Sequence, residues 1–386
     1  MFNQLKAWVP RLLALTERFP WVIPLFGFSS GLASFFLVER KEQLAQFIAL
    51  FMLVSWCWLT LEKVLRRSVA RWFGVQLPPP LLSYFTQLVH QESLFFIIPF
   101  FFISTAWNTG QMVFTGGLFI AALVSIIDPL YFRWLAPRRW LYLSFHGLTL
   151  FAVLLTALPI IFQLPTAKTY VWSLGIALMI TLPSVASELS WRWWQRLIII
   201  TVLAMAVTLI AVSVRPWMPP ATLWLTQVAV SSHIDSERRA PANALKLIDE
   251  QQLHQGLYAY TSIRAPRGLN ERIYHEWRLN GQLIDRVPLD IRGGREAGYR
   301  AWSHKINFPA QALGRWQIRV VTETNQLIGI LRFRVVERLS EGGIQHSLET
   351  ERQDELVPQS VSSSSSSLPA LAPDEAMREK LKSITQ

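Results

Sequence analysis

The sequence predicts an α-helical membrane bundle of about seven transmembrane helices followed by an all-β antiparallel sandwich, Ig-like in size. Three observations carry this expectation. Long apolar runs recur as far as Val214; the stiff segment Arg215-Pro216-Trp217-Met218-Pro219-Pro220 follows; beyond it, apolar and polar residues alternate with period two. The chain divides accordingly into a polytopic membrane domain at 1–220, a soluble β domain at 221–337 and a serine-rich tail at 338–386.

Composition agrees with a membrane-borne half. A hydrophobic fraction of 51% with 17 Trp in 386 residues is high for a water-soluble chain. The net charge of +11 would suit nucleic acid. Much of the excess, however, lies between apolar runs, where basic residues set orientation, and no recognition motif accompanies it. The reading is no nucleic acid. The single cysteine, Cys57, lies inside an apolar run, so no intramolecular disulfide forms.

An apolar stretch of roughly 18 residues crosses about 30 Å of hydrocarbon as a helix. Seven stretches are read this way: 21–38, 45–61, 93–107, 113–132, 140–163, 169–186 and 197–214. The first is a retained anchor, because its apolar run continues through Phe35-Phe36-Leu37-Val38 beyond the length of a signal core. In the third, the core Leu94 to Ile103 is short and carries Pro99. It either crosses alone, re-enters, or joins the fourth stretch as a hairpin through Asn108-Thr109-Gly110.

Orientation follows from the reluctance of Lys and Arg in short loops to be translocated. Twelve lie on the N-terminal side: Lys6, Arg11, Arg18, Lys63, Arg66, Arg67, Arg71, Arg133, Arg138, Arg139, Arg192 and Arg196. Four lie opposite: Arg40, Lys41, Lys168 and Arg215. This bias puts the N-terminus in the cytoplasm and, with seven crossings, the C-terminal domain on the opposite side of the membrane. Two basic, tryptophan-bearing connectors, Val64 to Val75 and Trp191 to Arg196, are expected at the lipid headgroups.

Ionisable residues inside hydrocarbon are costly, so each is a candidate site. Asp128, before Pro129, and His146 lie toward the same end of neighbouring antiparallel segments. Two readings are open: a proton-accepting pair of the kind transporters use, or an interfacial Asp128 paired with Arg133 or water while His146 bonds a neighbouring helix.

In the soluble part, Ile273, His275, Trp277 and Leu279 share one strand face, and Tyr274, Glu276 and Arg278 the other. Asn280-Gly281 then predicts a two-residue turn into a strand over 283–291. Similar alternation at 315–320 and 327–336, with strands at 222–232, 257–264 and 298–307, gives about seven strands; 242–252 is the one expected helix or helical turn. The densest patch of unusual residues, Arg292 to Lys305, lacks the following helix that a phosphate-cradling loop needs. It is expected to be a turn or bulge entering a strand. Arg295, Arg300, Trp302 and His304, with His275 and Trp277 nearby, are the candidate ligand-binding residues, able to grip a sugar, phosphate or acidic peptide. The alternative is that the tryptophans are core and the arginines solvated. No metal site is read, since His254, His275 and His304 lack ligand spacing. No cofactor fingerprint, nucleophile elbow or carboxylate pair is present either.

The run Tyr274-His275-Glu276-Trp277, Asn280-Gly281, Gly293 through Lys305, Gly314-Arg315-Trp316 and Leu327 through Val335 resembles a bacterial family catalogued as domain of unknown function 2914. That resemblance spans about 225–337. The membrane half is similar to a companion family numbered 5924. The resemblance implies a bacterial inner-membrane protein and transfers no catalytic or binding residue. In the tail, six serines from Ser362 to Ser367 predict disorder.

Taken together, the preferred expectation is a non-enzymatic protein whose partners are the lipid bilayer and an envelope protein or polysaccharide. Two rivals stand beside it: a transporter or channel component using Asp128 and His146, and a membrane enzyme acting on lipid-linked substrates through Arg295, Arg300 and His304.

Overall fold

A computed structural model describes residues 79–187, 192–235, 237–265, 270–292 and 298–337, with scattered helical positions between Leu25 and Trp56. The first two expected spans, the connector Val64 to Val75, Arg295 and the tail therefore lie wholly or largely outside the described residues.

The helical half contains α1 (Pro79–Ser104), α2 (Gln111–Ile126), α3 (Arg139–Phe162), α4 (Thr166–Ser187) and α5 (Trp193–Val214). Among the described residues three helices are long and apolar enough to cross a membrane, Ser83–Ser104, Arg139–Phe162 and Trp193–Trp217, or four if a bent pair counts as one span. This corrects the expectation of about seven, which placed five spans in this region. The third stretch belongs to a helix longer than its apolar core, because α1 begins well before Leu94 and carries Gln87, His90, Gln91 and Glu92 ahead of it. The fourth stretch breaks: α2 ends at Ile126 and meets the π-helical turn Pro129–Leu135 at 96°.

Proline explains the break, since Pro129 has no N–H to offer the carbonyl four residues back. That carbonyl, Ser125 O, instead accepts Gln87 Nε2–H at 3.0 Å and Gln91 Nε2–H at 2.6 Å. Two glutamines from α1 thus satisfy a backbone group that an apolar surrounding would leave bare.

Among the described residues ten strands follow: β1 (Trp224–Ser231), β2 (Ile234–Asp235), β3 (Ala240–Pro241), β4 (Leu247–Asp249), β5 (Leu257–Arg264), β6 (Asn270–Leu279), β7 (Gln282–Arg292), β8 (Tyr299–Lys305), β9 (Gly314–Thr322) and β10 (Leu327–Val336). They form a three-stranded sheet in the order β1-β5-β8, a five-stranded sheet in the order β4-β10-β9-β6-β7, and a ribbon of β2 and β3. The two larger sheets share one apolar core around Trp277, Trp316, Ile318, Ile263 and Phe333. The β6–β7 turn forms as expected, with Asn280 at φ 48° and Gly281 at φ 87°. Two expectations need correction. The sheets are not all antiparallel, because β4 pairs with β10 in parallel. The region 242–252 is mostly not helix: it supplies β4 and the single turn Glu250–Leu253, capped by Asp249 Oδ1 accepting Gln251 N–H at 2.9 Å.

The helical and β parts pack as one compact unit ending at Arg338. Its joint is polar and buried. Glu271, 3% exposed, accepts the Thr166 backbone N–H at 2.7 Å and its hydroxyl at 2.8 Å, a carboxylate at the start of α4 where the helix dipole favours it. Burial pushes the Glu271 carboxyl up, and the Thr166 bonds pull it back. Gln111 Nε2–H donates to Leu327 O at 2.7 Å and Gln326 Nε2–H to Met218 O at 3.3 Å. Trp217 lies against Gly110, where a side chain would collide with the indole.

Candidate functional site

The five candidate ligand-binding residues that are described, His275, Trp277, Arg300, Trp302 and His304, do not form one patch. Strand parity separates them: odd-numbered positions of β6 face the core, whereas the even-numbered positions of β8 face away from it. His275 is fully buried between the sheets, with Nδ1 2.9 Å from Ser303 Oγ on β8 and Nε2 3.2 Å from Thr261 Oγ1 on β5. Burial pushes its imidazole down to about 3. Trp277, also fully buried, donates Nε1–H to the same Ser303 hydroxyl at 3.2 Å. These two residues are enclosed between the sheets and tie them together through Ser303.

Arg300, Trp302 and His304 project from the opposite face, as their shared parity requires. The register sets Ser262 beside Arg300, Tyr260 beside Trp302 and Tyr258 beside His304. The imidazole of His304 stacks on the Tyr258 ring at 4.0 Å and 5°. Gly256, at φ 82°, leaves the room this needs, since a Cβ there would sit 2.6 Å from His304 Nε2.

The segment linking β2 and β3 folds over this face. Asp235 Oδ1 accepts the N–H groups of Glu237 and Arg238 at 2.9 and 3.1 Å, which closes the turn. Arg239 takes the left-handed conformation, φ 47°, and lays its guanidinium over the Trp302 ring at 5.6 Å. Arg300 Nη1–H donates to Arg238 O at 2.7 Å. Beneath them Tyr260 is fully buried, yet its hydroxyl has no hydrogen-bond partner among the described residues. Burial pushes this phenol up while Arg300 and Arg239 pull it down, so both guanidinium groups lie within electrostatic reach. Neither arginine is paired with a carboxylate among the described residues. Tyr258, Tyr260 and Arg239 were not legible as site residues, because only the β5–β8 register and the folded-back turn bring them to Trp302.

Asp128 and His146 do not bond each other; each reaches α1. Gln87 Nε2–H donates to Asp128 Oδ1 at 2.8 Å. His146 Nδ1 lies 3.0 Å from His90 Nε2, and His90 Nδ1 lies 2.9 Å from Tyr131 OH. The Trp56 ring covers the pair, 5.6 Å from His90 and 4.6 Å from His146, and donates Nε1–H to Ser93 Oγ at 3.0 Å. Two proton arrangements fit this chain. Tyr131 donates to His90 and His90 to His146, or every donor and acceptor reverses. His90 and Gln87 escaped notice because they precede the apolar run of α1 by one to two turns.

Comparison with known families divides the chain in two. A model described as a family of unknown function, DUF5924, matches residues 2–259, and one described as a protein of unknown function, DUF2914, matches residues 270–335. The second match begins at β6, not near residue 225 as the resemblance suggested. The seam runs through the β domain: β1 and the first three residues of β5 lie in the first match, and their sheet partner β8 in the second. No curated protein matches the chain.

Proposed function

The chain belongs to the DUF5924 family, and from that premise we propose that it is a multi-pass protein of a bacterial inner membrane whose β domain, an Ig-sized sandwich in the periplasm, binds an envelope partner or polymer without catalysing a reaction. A cytoplasmic N-terminus and an odd number of crossings are part of this reading. The distribution of basic residues supports the orientation. Helix α5 supports the membrane. It exposes Leu197, Ile198, Val202, Met205, Leu209 and Ile210, an apolar surface that lipid solvates at no cost and water does not.

One observation carries the binding function. The outer face of the three-stranded sheet gathers Arg239, Arg300, Trp302 and the Tyr258–His304 stack with no carboxylate bonded to either arginine among the described residues. Two measurements test it. A reporter active only in the periplasm is expected to work when fused after Val336 and to stay silent after Val75. The full chain in phosphatidylcholine nanodiscs is expected to co-sediment with isolated cell-wall sacculi. A silent fusion at Val336, or no sedimentation, overturns the reading.

A second reading rests on the chain Tyr131–His90–His146. Alternating donors and acceptors inside apolar helices suit proton movement through a transporter or channel component. Asp128 would then act through Gln87 and not through His146. Proteoliposomes containing a pH-sensitive dye are expected to acidify roughly a hundredfold faster under an imposed potential than those carrying His90→Leu or His146→Gln, the lower end of the loss that removing a proton-transfer group produces. Equal rates in folded variants would remove this reading.

A further inference from the structure

Tyr260 is the least explained polar group of the β domain. Its side chain is fully buried and its hydroxyl has no hydrogen-bond partner among the described residues; a buried donor left unpaired is unfavourable. The two guanidinium groups nearest it also lack a carboxylate among the described residues. One of them belongs to Arg239, whose left-handed backbone is itself unfavourable for a residue with a side chain and is held by the Asp235 turn. Strain, an unmade hydrogen bond and unneutralised charge therefore meet at one place. An oxyanion would relieve the last two together.

The surroundings narrow its carrier. Trp302 is half-buried under Arg239, and His304 stands exposed on Tyr258 two residues along the same strand. Flat rings at that spacing suit the apolar face of a sugar, with polar groups fixing its substituents. We propose that this face binds an anionic saccharide, whose carboxylate or phosphate ester oxygens are held by the Tyr260 hydroxyl and the guanidinium groups of Arg239 and Arg300, with its ring against Trp302 and His304. This deepens the envelope-binding reading and rests on it.

The test uses the full chain in phosphatidylcholine nanodiscs and titrates an oligogalacturonate trimer, the neutral galactose trimer and inorganic phosphate, followed by calorimetry. The acidic trimer is expected to bind at least about tenfold more tightly than either control, and Arg300→Ala and Arg239→Ala to lose about tenfold each, the size of a charge-assisted contact. Tyr260→Phe is the decisive variant. It deletes only the unpartnered hydroxyl, so the melting temperature should hold or rise while affinity for the acidic trimer falls several-fold. Unchanged affinity in Tyr260→Phe overturns the assignment, as does equal binding of the neutral trimer or of phosphate alone. Loss of trimer binding in nanodiscs containing phosphatidylglycerol identifies a lipid headgroup as the occupant and also overturns it. Sacculus binding by the wild type that Arg300→Ala leaves intact removes this site and spares the broader reading; no sacculus binding by the wild type removes the broader reading itself.

Discussion

Trp277→Ala is expected to destabilise the β domain by about 3–5 kcal/mol, the usual cost of emptying an aromatic site in a packed core. The indole is fully buried and meets Trp316, Phe333 and Phe308 edge-on, with centroids 6.5, 6.3 and 6.1 Å away. Such pairs contribute beyond their buried area. Truncation also strips Ser303 of the Nε1–H donor that links β6 to β8, leaving the cavity to be closed by strands that are pinned on both sides. Trp277→Phe, which retains most of the ring and loses the donor, should cost about 1–2 kcal/mol. Urea unfolding of the full chain in detergent, followed by near-ultraviolet circular dichroism, measures both. A loss below about 1 kcal/mol for Trp277→Ala would mean that the two sheets are not joined through this residue.

Acid is expected to act through His275. Its folded pKa, pushed down to about 3 by burial, lies below the ordinary histidine value near 6.5, so the unfolded chain takes up the proton first. The associated stability is fully present above about pH 6.5 and is lost as pH falls toward 3, at about 1.4 kcal/mol per pH unit, or about 3 kcal/mol by pH 4.5. Protonation would set a charge between the sheets, where the Thr261 and Ser303 hydroxyls are the groups bonded to it. Glu271 works in the opposite sense. Its raised carboxyl favours the folded state as pH falls through its range. The contribution of His275 is therefore read as the difference between wild type and His275→Gln, which does not titrate. Parallel stability curves for the two between pH 7 and 4.5 would show that the imidazole is not enclosed.

Local signals in the sequence were reliable because they depend on neighbouring residues alone. Asn280-Gly281 specified its turn, since both residues tolerate positive φ. Alternation put Ile273, His275, Trp277 and Leu279 on one face of β6, and that face is the core. Asp128 and His146 stood out because charge and imidazole are rare within apolar runs. Their partners did not, because a search for continuous apolar residues stops at the polar turn of α1, although the helix itself continues through it. A helix in an apolar setting can carry glutamine and histidine when a neighbour answers them, and that answer comes from Ser125 O, Asp128, Tyr131 and His146.

The candidate binding face divides the same way. Arg300, Trp302 and His304 were visible as unusual residues sharing one side of a strand. Setting Tyr260 beside Trp302 required the β5–β8 register, and setting Arg239 over the indole required a turn that folds back across the sheet. By itself the sequence determined the helical half, the β-rich half, the helix-to-strand change after Pro220 and the likeness to two families, because hydrophobic period and turn chemistry are properties of short stretches. Only the tertiary structure decided that His275 and Trp277 face inward, that α1 completes the network around Asp128 and His146, and that Tyr260, Arg239 and Arg300 converge. Each of these depends on which distant segments pack together, and no local period encodes that choice.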